Sequence, residues 1–317
     1  MSGKSMRNSA GRESGDQTGK SNDKFMGSCA NCGVKENDDI KLKICTACKS
    51  IRYCGVECQK KHRPEHKRDC KKRAAELRDK LLFKQPGCCT YKGDCPICFL
   101  PLPHDPTKCV ANDCCSQMIC LGCSCAHFLP ERGVAPEQKC IFCRSPVAET
   151  PAQELKYRMK RIEVNCPVAI RNEGLECYHD GKYEEAFEYY SKAAELGDIE
   201  AHYHLATLYG YGEGVEKDEK KQRKHLETAA IGGHPGARLV LCDLEMNKGN
   251  INRTIKHLVI AAKQGSEHAI DFLKKRYTDG DGIVSKDVLA DALRGYQEAL
   301  DTMKSPQREA AEEVKTS

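Results

Sequence analysis

AHYHLATLYGYGEGVEKD, residues 201–218, runs small and aromatic residues at helical spacing into three alternate glycines and a charged turn. Its positions recur along the chain. Ala201, Ala237 and Ala269 are separated by 36 and then 32 residues, and Leu205, Leu241 and Leu273 keep the same offsets. So do Ala193-Ala194, Ala229-Ala230 and Ala261-Ala262, the glycines Gly197, Gly233 and Gly265, and the apolar set Tyr190, Leu226 and Leu258. The shorter second interval falls in a loop, where 209–218 has a reduced counterpart near Asn247–Asn250. Self-similarity at a fixed period marks a repeat architecture. Each unit reads as two helices of about three turns joined by glycine-rich connections. One such unit cannot bury its own apolar face, so the units stack into a solenoid. Five registered positions disfavour an ordinary helical bundle.

The 201–218 pattern closely resembles the SEL-like repeat, a relative of the TPR, and Pro167 to Leu196 looks like a less regular first unit. The resemblance implies a protein-binding scaffold over 152–305. DGDGIVSKD (279–287) imitates a calcium loop, but with Gly282 at the required glycine the first and twelfth ligand slots fall on Tyr277 and Val288, which bind no calcium. We read a turn there, with Ser285 capping a last helix to about Met303. Residues 306–317 read as a mobile tail.

The remainder of the 317-residue chain is different material. Nineteen of its 22 cysteines lie between Cys29 and Cys143, many as CxxC pairs, and there is no tryptophan. Paired cysteines in a chain whose first 28 residues are polar, without the apolar run of a signal peptide, point to metal in a reducing compartment rather than disulfides. The same residues read as a disordered tail. The expected location is intracellular, cytoplasmic or nuclear, with no membrane span. Cys166, Cys177 and Cys242, outside the cluster, read as small buried residues. The expected fold class is therefore small zinc-stabilised modules followed by an all-α helix-pair repeat solenoid.

Residues 29–70 carry C-x2-C-x12-C-x2-C-x5-C-x3-C-x7-H-x3-C. Eight ligand-type residues make two closed four-coordinate sites, structural rather than catalytic. The pairs Cys54/Cys58 and His66/Cys70 stand four apart, on one face of a helical turn. The spacing, and YCGVECQKKHRPEHKRDC above all, closely resembles the MYND zinc finger. That resemblance implies interleaved sites: Cys29, Cys32, Cys54 and Cys58 around one zinc, and Cys45, Cys48, His66 and Cys70 around the other. It also implies docking of short, often proline-containing peptides. Gln59 matches the family, and Arg63-Pro64 stands where a tryptophan is common. His62 reads as an exposed helical histidine. A charged helix and linker are expected over 71–94, with a break at Pro86-Gly87; Cys88 and Cys89 receive no role.

The second cluster, 95–147, holds Cys95-x2-Cys98, Cys114-Cys115, Cys120-x2-Cys123 and Cys140-x2-Cys143. It resembles a RING finger. The resemblance implies a third zinc on Cys95, Cys98, Cys120 and Cys123. It implies a fourth on Cys115, Cys140, Cys143 and a residue at the place of Gln117, whose carboxamide is a poor zinc ligand. Cys114 is the first candidate to replace it, ahead of His127 and then Cys109 or Cys125. A vacant fourth site is the remaining alternative. Ile97, Arg144 and Pro146 stand where that family contacts a ubiquitin-conjugating enzyme.

Two functions follow as expectations. One is a zinc-dependent adaptor whose repeats and MYND finger bind other proteins. The other is a RING-type ubiquitin-protein ligase using those parts to select substrates, by positioning and without a catalytic side chain. The chain's net charge is +5, and 59–73 alone hold eight Lys or Arg against Glu65 and Asp69. Such a patch suits acidic partners. Nucleic-acid binding is the remote reading, because neither base-reading spacing nor aromatic platforms accompany it.

Overall fold

The structure, a computed structural model, describes residues 27–85, 90–128, 139–280 and 282–316. Most of the expected disordered tail, the Pro86-Gly87 break, Cys88 and Cys89 lie outside the described residues. Gly27 and Ser28 are not tail: Ser28 pairs with Lys35. The chain divides into two compact units, Met1–Leu81 and Leu82–Ser317.

In the first unit, strands β1 (Lys43–Ile44) and β2 (Arg52–Tyr53) pair antiparallel, and helix α1 (Val56–Leu82) follows. Both CxxC turns close alike. Gly33 N–H donates to the Cys29 carbonyl (2.9 Å) and Lys49 N–H to that of Cys45 (2.8 Å). Gly33 and Lys49 both have left-handed backbone, with φ of 74° and 50°. This closure turns two thiols to one side. The buried core is Cys29, Leu42, Cys45, Cys48 and Tyr53, too little apolar surface to hold a module this small. The charged helix expected within 71–94 is one with the finger's own, since α1 runs unbroken to Leu82 and buries only that residue.

The second unit begins with a cysteine module. Strands β3 (Cys109–Ala111) and β4 (Met118–Cys120) pair antiparallel with Cys109 opposite Cys120, and α2 (Leu121–Phe128) leaves β4 directly. Ten further helices follow: α3 (Pro151–Glu163), α4 (Pro167–His179), α5 (Tyr183–Glu195), α6 (Ile199–Tyr211), α7 (Glu219–Ile231), α8 (Pro235–Met246), α9 (Ile251–Lys263), α10 (Glu267–Thr278), α11 (Lys286–Met303) and α12 (Pro306–Thr316). No helix among the described residues is long and apolar enough to cross a membrane.

The repeat has a local cause. Asn165, Gly197, Gly233 and Gly265 are all left-handed. Each directly precedes the N-cap of a helix: Cys166, Asp198, His234 and Ser266. Asp198 accepts from Ala201 N–H, and His234 Nδ1 from Ala237 N–H. Three residues after each cap, Ala169, Ala201, Ala237 and Ala269 are 0–3% exposed, so a methyl group is all that separates adjacent helices there. Ser285 caps α11 through Val288 N–H.

Residues 306–316 are not a mobile tail. They form α12, which packs on α2. The approach is close enough that a Cβ at Gly122 would stand 2.7 Å from Arg308 N. The solenoid also holds buried charge. Arg238, 1% exposed, donates to the Leu82 and Ala230 carbonyls at 3.0 and 2.9 Å. Glu245 accepts from Arg223 at 2.6 Å and pairs with Arg253 at 3.2 Å.

One side of the solenoid is covered by the cysteine module and the segment before it. Phe83 meets His257 (4.8 Å between ring centres), and Tyr91 lies between His104 (5.8 Å) and His234 (4.7 Å). Tyr203 continues the stack from His234 at 4.4 Å. From α3, Tyr157 donates to the Pro146 carbonyl at 3.1 Å. That side is occupied from within the chain.

Candidate metal centres

The structure gathers four ligand sets, each with its ligand atoms within 4.8 Å of one another: Cys29, Cys32, Cys54 and Cys58; Cys45, Cys48, His66 and Cys70; Cys95, Cys98, Cys120 and Cys123; and Cys114, Cys115, Cys140 and Cys143. The two sets of the first finger interleave along the chain. So do the two of the second module.

The spacing of the atoms tests their chemistry. A disulfide needs about 2.05 Å between sulfurs. Four sulfurs at ~2.3 Å from one zinc stand about 3.8 Å apart. Here Cys32 and Cys54 are 3.6 Å apart, Cys45 and Cys70 3.8 Å, Cys98 and Cys120 3.8 Å, Cys115 and Cys140 3.7 Å. Cys48 Sγ lies 3.3 Å from His66 Nε2, matching the shorter edge that a zinc–nitrogen bond gives. Cys54 and Cys58 are 3.5 Å apart and Cys114 and Cys143 3.3 Å. The four longer separations are those of a tetrahedron of ligands around one zinc, and the donor atoms are those that zinc prefers.

Electrostatics agree. Burial pushes the Cys29 thiol up, but backbone N–H groups of Cys32, Cys54 and Asn31 outweigh it and bring it down to about 6. Cys45 also reaches about 6, against burial, through Cys48 N–H and the His66 side chain. Cys143 reaches about 6 against burial through Ser145, and Cys95 about 7 through the N–H groups of Cys120, Cys98 and Ile97. One thiolate is therefore prepared in every set, as metal ligation requires. Its neighbours resist a second charge. Hydrogen bonding with Cys58 and Cys32 raises Cys54 to about 12, and burial followed by Cys45 does the same to Cys70. A divalent cation held at the centre of a set would supply the charge that relieves this opposition.

The fourth set explains the irregular Cys114-Cys115 pair. Asn112, not a cysteine, opens the turn: Ser116 N–H donates to its carbonyl (2.6 Å), and its own N–H donates to the Gln117 carbonyl (2.9 Å). Ser116 is left-handed at φ 59°, as are Phe99 after Cys95-x2-Cys98 and Arg144 after Cys140-x2-Cys143. The 112–117 turn thus has the backbone of a CxxC turn. Cys115 holds the second thiol position, and the other thiol comes from Cys114, one residue earlier. Gln117 offers its backbone carbonyl to Asn112 and leaves its side chain exposed. The alternatives lie elsewhere. Cys109 hydrogen-bonds the Pro103 carbonyl, and Cys125 and His127 are on α2, outside the set.

His62 corrects the expectation of an exposed helical residue. Its side chain is 17% exposed, accepts or donates at Nδ1 with Tyr53 Oη (3.1 Å), and stacks on His66 at 5.8 Å with the rings 8° apart. Tyr53 and His62 together fix the imidazole of a candidate ligand, a role that helical spacing alone did not signal. Gln59 is half-buried in the second turn of α1. The three expected contact residues of the second module are dispersed. Ile97 lines an apolar groove with Ala126, Ile141 and Phe142. Pro146 lines a separate hollow with Val110 and Tyr157, and Arg144 is exposed. Cys177 and Cys242 are buried, while Cys166 is half-buried at the cap of α4.

A helical repeat array joined to thiol-rich modules defines a class of interaction protein. A family model for the MYND finger matches residues 29–70, and one for the Sel1 repeat matches 168–198 and 199–234. The chain carries both, and both are protein-interaction modules. It is 38% identical over 72 residues to the exopolysaccharide production negative regulator of Rhizobium meliloti (strain 1021), a match covering 22% of this chain and 27% of that protein. Among solved structures, the Sel1 repeat protein from Oxalobacter formigenes is 28% identical with a TM-score of 0.41, over 50% of this chain and 67% of the other. The protective antigen c5321 of uropathogenic Escherichia coli strains, with an SLR fold, is 19% identical with a TM-score of 0.38, over 53% and 37%.

Proposed function

We propose that this protein is a zinc-dependent adaptor with four structural zinc ions. Two sit in the MYND finger on the sets containing Cys29 and Cys45. Two sit in a RING-like module on the sets containing Cys95 and Cys115, with Cys114 as the last ligand of the fourth. The finger takes a partner's peptide beside Gln59, one turn along α1 from Val56, which is exposed at 59%. The repeats offer a partner the surface that the chain does not cover itself. The observation that carries this reading is the tetrahedral edge length repeated in all four sets. Native mass spectrometry tests it: four zinc ions per chain, falling to three in Cys114→Ser and remaining four in Cys109→Ser. A count that Cys114→Ser leaves unchanged would sink the fourth site.

A second reading has its own support. Ile97 and Phe142, 40% and 36% exposed, flank the apolar groove between the two ligand loops of the RING-like module. A conjugating enzyme seated there would make the protein a ubiquitin ligase. Ubiquitin chain formation that Ile97→Ala abolishes would establish it, and inactivity with a broad panel of conjugating enzymes would remove it.

A further inference from the structure

The third ligand set is the most enclosed of the four, with Cys95, Cys120 and Cys123 at 0, 1 and 7% exposure. Four thiolates around one divalent ion leave negative charge in excess. Away from water such an excess is costly unless a cation meets it. The other all-cysteine sets meet neutral donors, among them the Asn31 amide at Cys58 (3.4 Å) and the Ser145 hydroxyl, 3.3 Å from Cys143.

The third set meets a guanidinium. Arg308 of α12, itself 8% exposed, places Nη2 3.5 Å from Cys98 Sγ and also engages Cys120. Its fork is held by the carbonyls of Leu100 (3.3 Å), Pro101 (2.9 Å) and Met303 (2.9 Å). Two of those carbonyls belong to the loop that carries Cys98. The helix is fixed by the bare backbone at Gly122, by buried Ala311 and by the Lys108–Glu312 ion pair at 2.6 Å. A planar five-donor cation suits this place because it can hydrogen-bond carbonyls and thiolates at once.

We propose that Arg308 is the counter-cation of the Cys95/Cys98/Cys120/Cys123 site, so that helix α12 controls how firmly this one zinc is kept. The inference rests on the zinc reading above. Arg308 is a positioning residue, and hydrogen bonds to the sulfurs lower their tendency to leave the metal for a proton or an electrophile.

The test is zinc release from the full-length protein to a colorimetric chelator, with the emptied site identified by alkylation of its cysteines and mass spectrometry. In Arg308→Gln, one zinc should leave about 10–100-fold faster, the usual effect of losing an outer-shell partner, with Cys98 and Cys120 labelled early. Cysteines of residues 29–70 should be labelled at the wild-type rate. Arg308→Lys, which keeps the charge and loses the fork, should recover part of the retention, which a purely steric role would not predict. Gly122→Ala, which displaces α12 and keeps the guanidinium, should behave as Arg308→Gln and carries the test if that variant does not fold. Release at the wild-type rate from zinc-loaded Arg308→Gln or Gly122→Ala overturns the proposal, as does Arg308→Lys losing zinc as fast as Arg308→Gln. A wild-type zinc count that Cys95→Ser leaves unchanged overturns the zinc reading as well.

Discussion

Three of the five buried residues in the first finger's core are cysteines, Cys29, Cys45 and Cys48. In the core between α8 and α11 a single cysteine, Cys242, lies among leucine, isoleucine, valine and alanine. Beyond Leu42 and Tyr53 the finger has little buried apolar surface, so on the zinc reading its shape comes from bonds to an ion. The solenoid has that surface in every repeat, and its shape comes from stacking. A module of the first kind is all-or-none in its metal. An array of the second kind loses stability in increments.

Chelation should separate the two most sharply. Each structural zinc stabilises its module by about 10–16 kcal/mol in peptide measurements. Hydrogen exchange after exhaustive chelation should therefore show residues 27–54 unprotected while α5 to α9 keep their protection. Equal loss in both regions would erase the distinction.

A smaller effect probes the solenoid alone. Removing one partner of a buried ion pair costs about 3–5 kcal/mol. Glu245→Ala leaves Arg223 and Arg253 without their shared carboxylate, so the urea midpoint of the helical signal should fall with zinc content unchanged.

The smallest effect is a pH slope. Burial holds His204 and His234 down at about 4, despite the nearby Glu200 carboxylate that favours their charged forms, and His104 reaches about 4 through burial and Lys92. Arg171 and Lys92 oppose protonation from the same surroundings. Unfolded histidine takes up its proton near pH 6.5, whereas the folded residues wait until about 4, so stability is lost as pH falls through that interval. His204→Phe keeps the stack on Tyr190 and should flatten the fall in urea midpoint between pH 6.5 and 4.5. An unchanged slope would assign it to the thiolates instead.

The repeat was legible because its alanines and glycines kept one offset across three units. Asn165 was missed because asparagine reaches the left-handed region without announcing it, and only the structure places it in phase with Gly197. The four thiol-rich gatherings have the membership that the two resemblances imply, except at Cys114, which was one of several candidates for its place. Its place in the cluster turns on a backbone turn opened by Asn112, a residue no ligand pattern would flag. Spacing also failed where burial comes from distant chain. SPQREAAEEVKTS carries little apolar surface, and its order as α12 depends on a glycine at 122. His62 is covered by Tyr53 from the preceding strand. Arg238 and Glu245 carry surface chemistry in a sequence window and core positions in three dimensions.

The hydrogen bonds of Arg308 to Leu100 and Pro101 cross 208 and 207 residues of chain. A ribosome makes those carbonyls long before it makes the arginine that closes over them. Throughout that interval the nascent protein presents an unfinished module to proteases and chaperones. A chain broken off anywhere before Arg308 would leave it in that condition permanently.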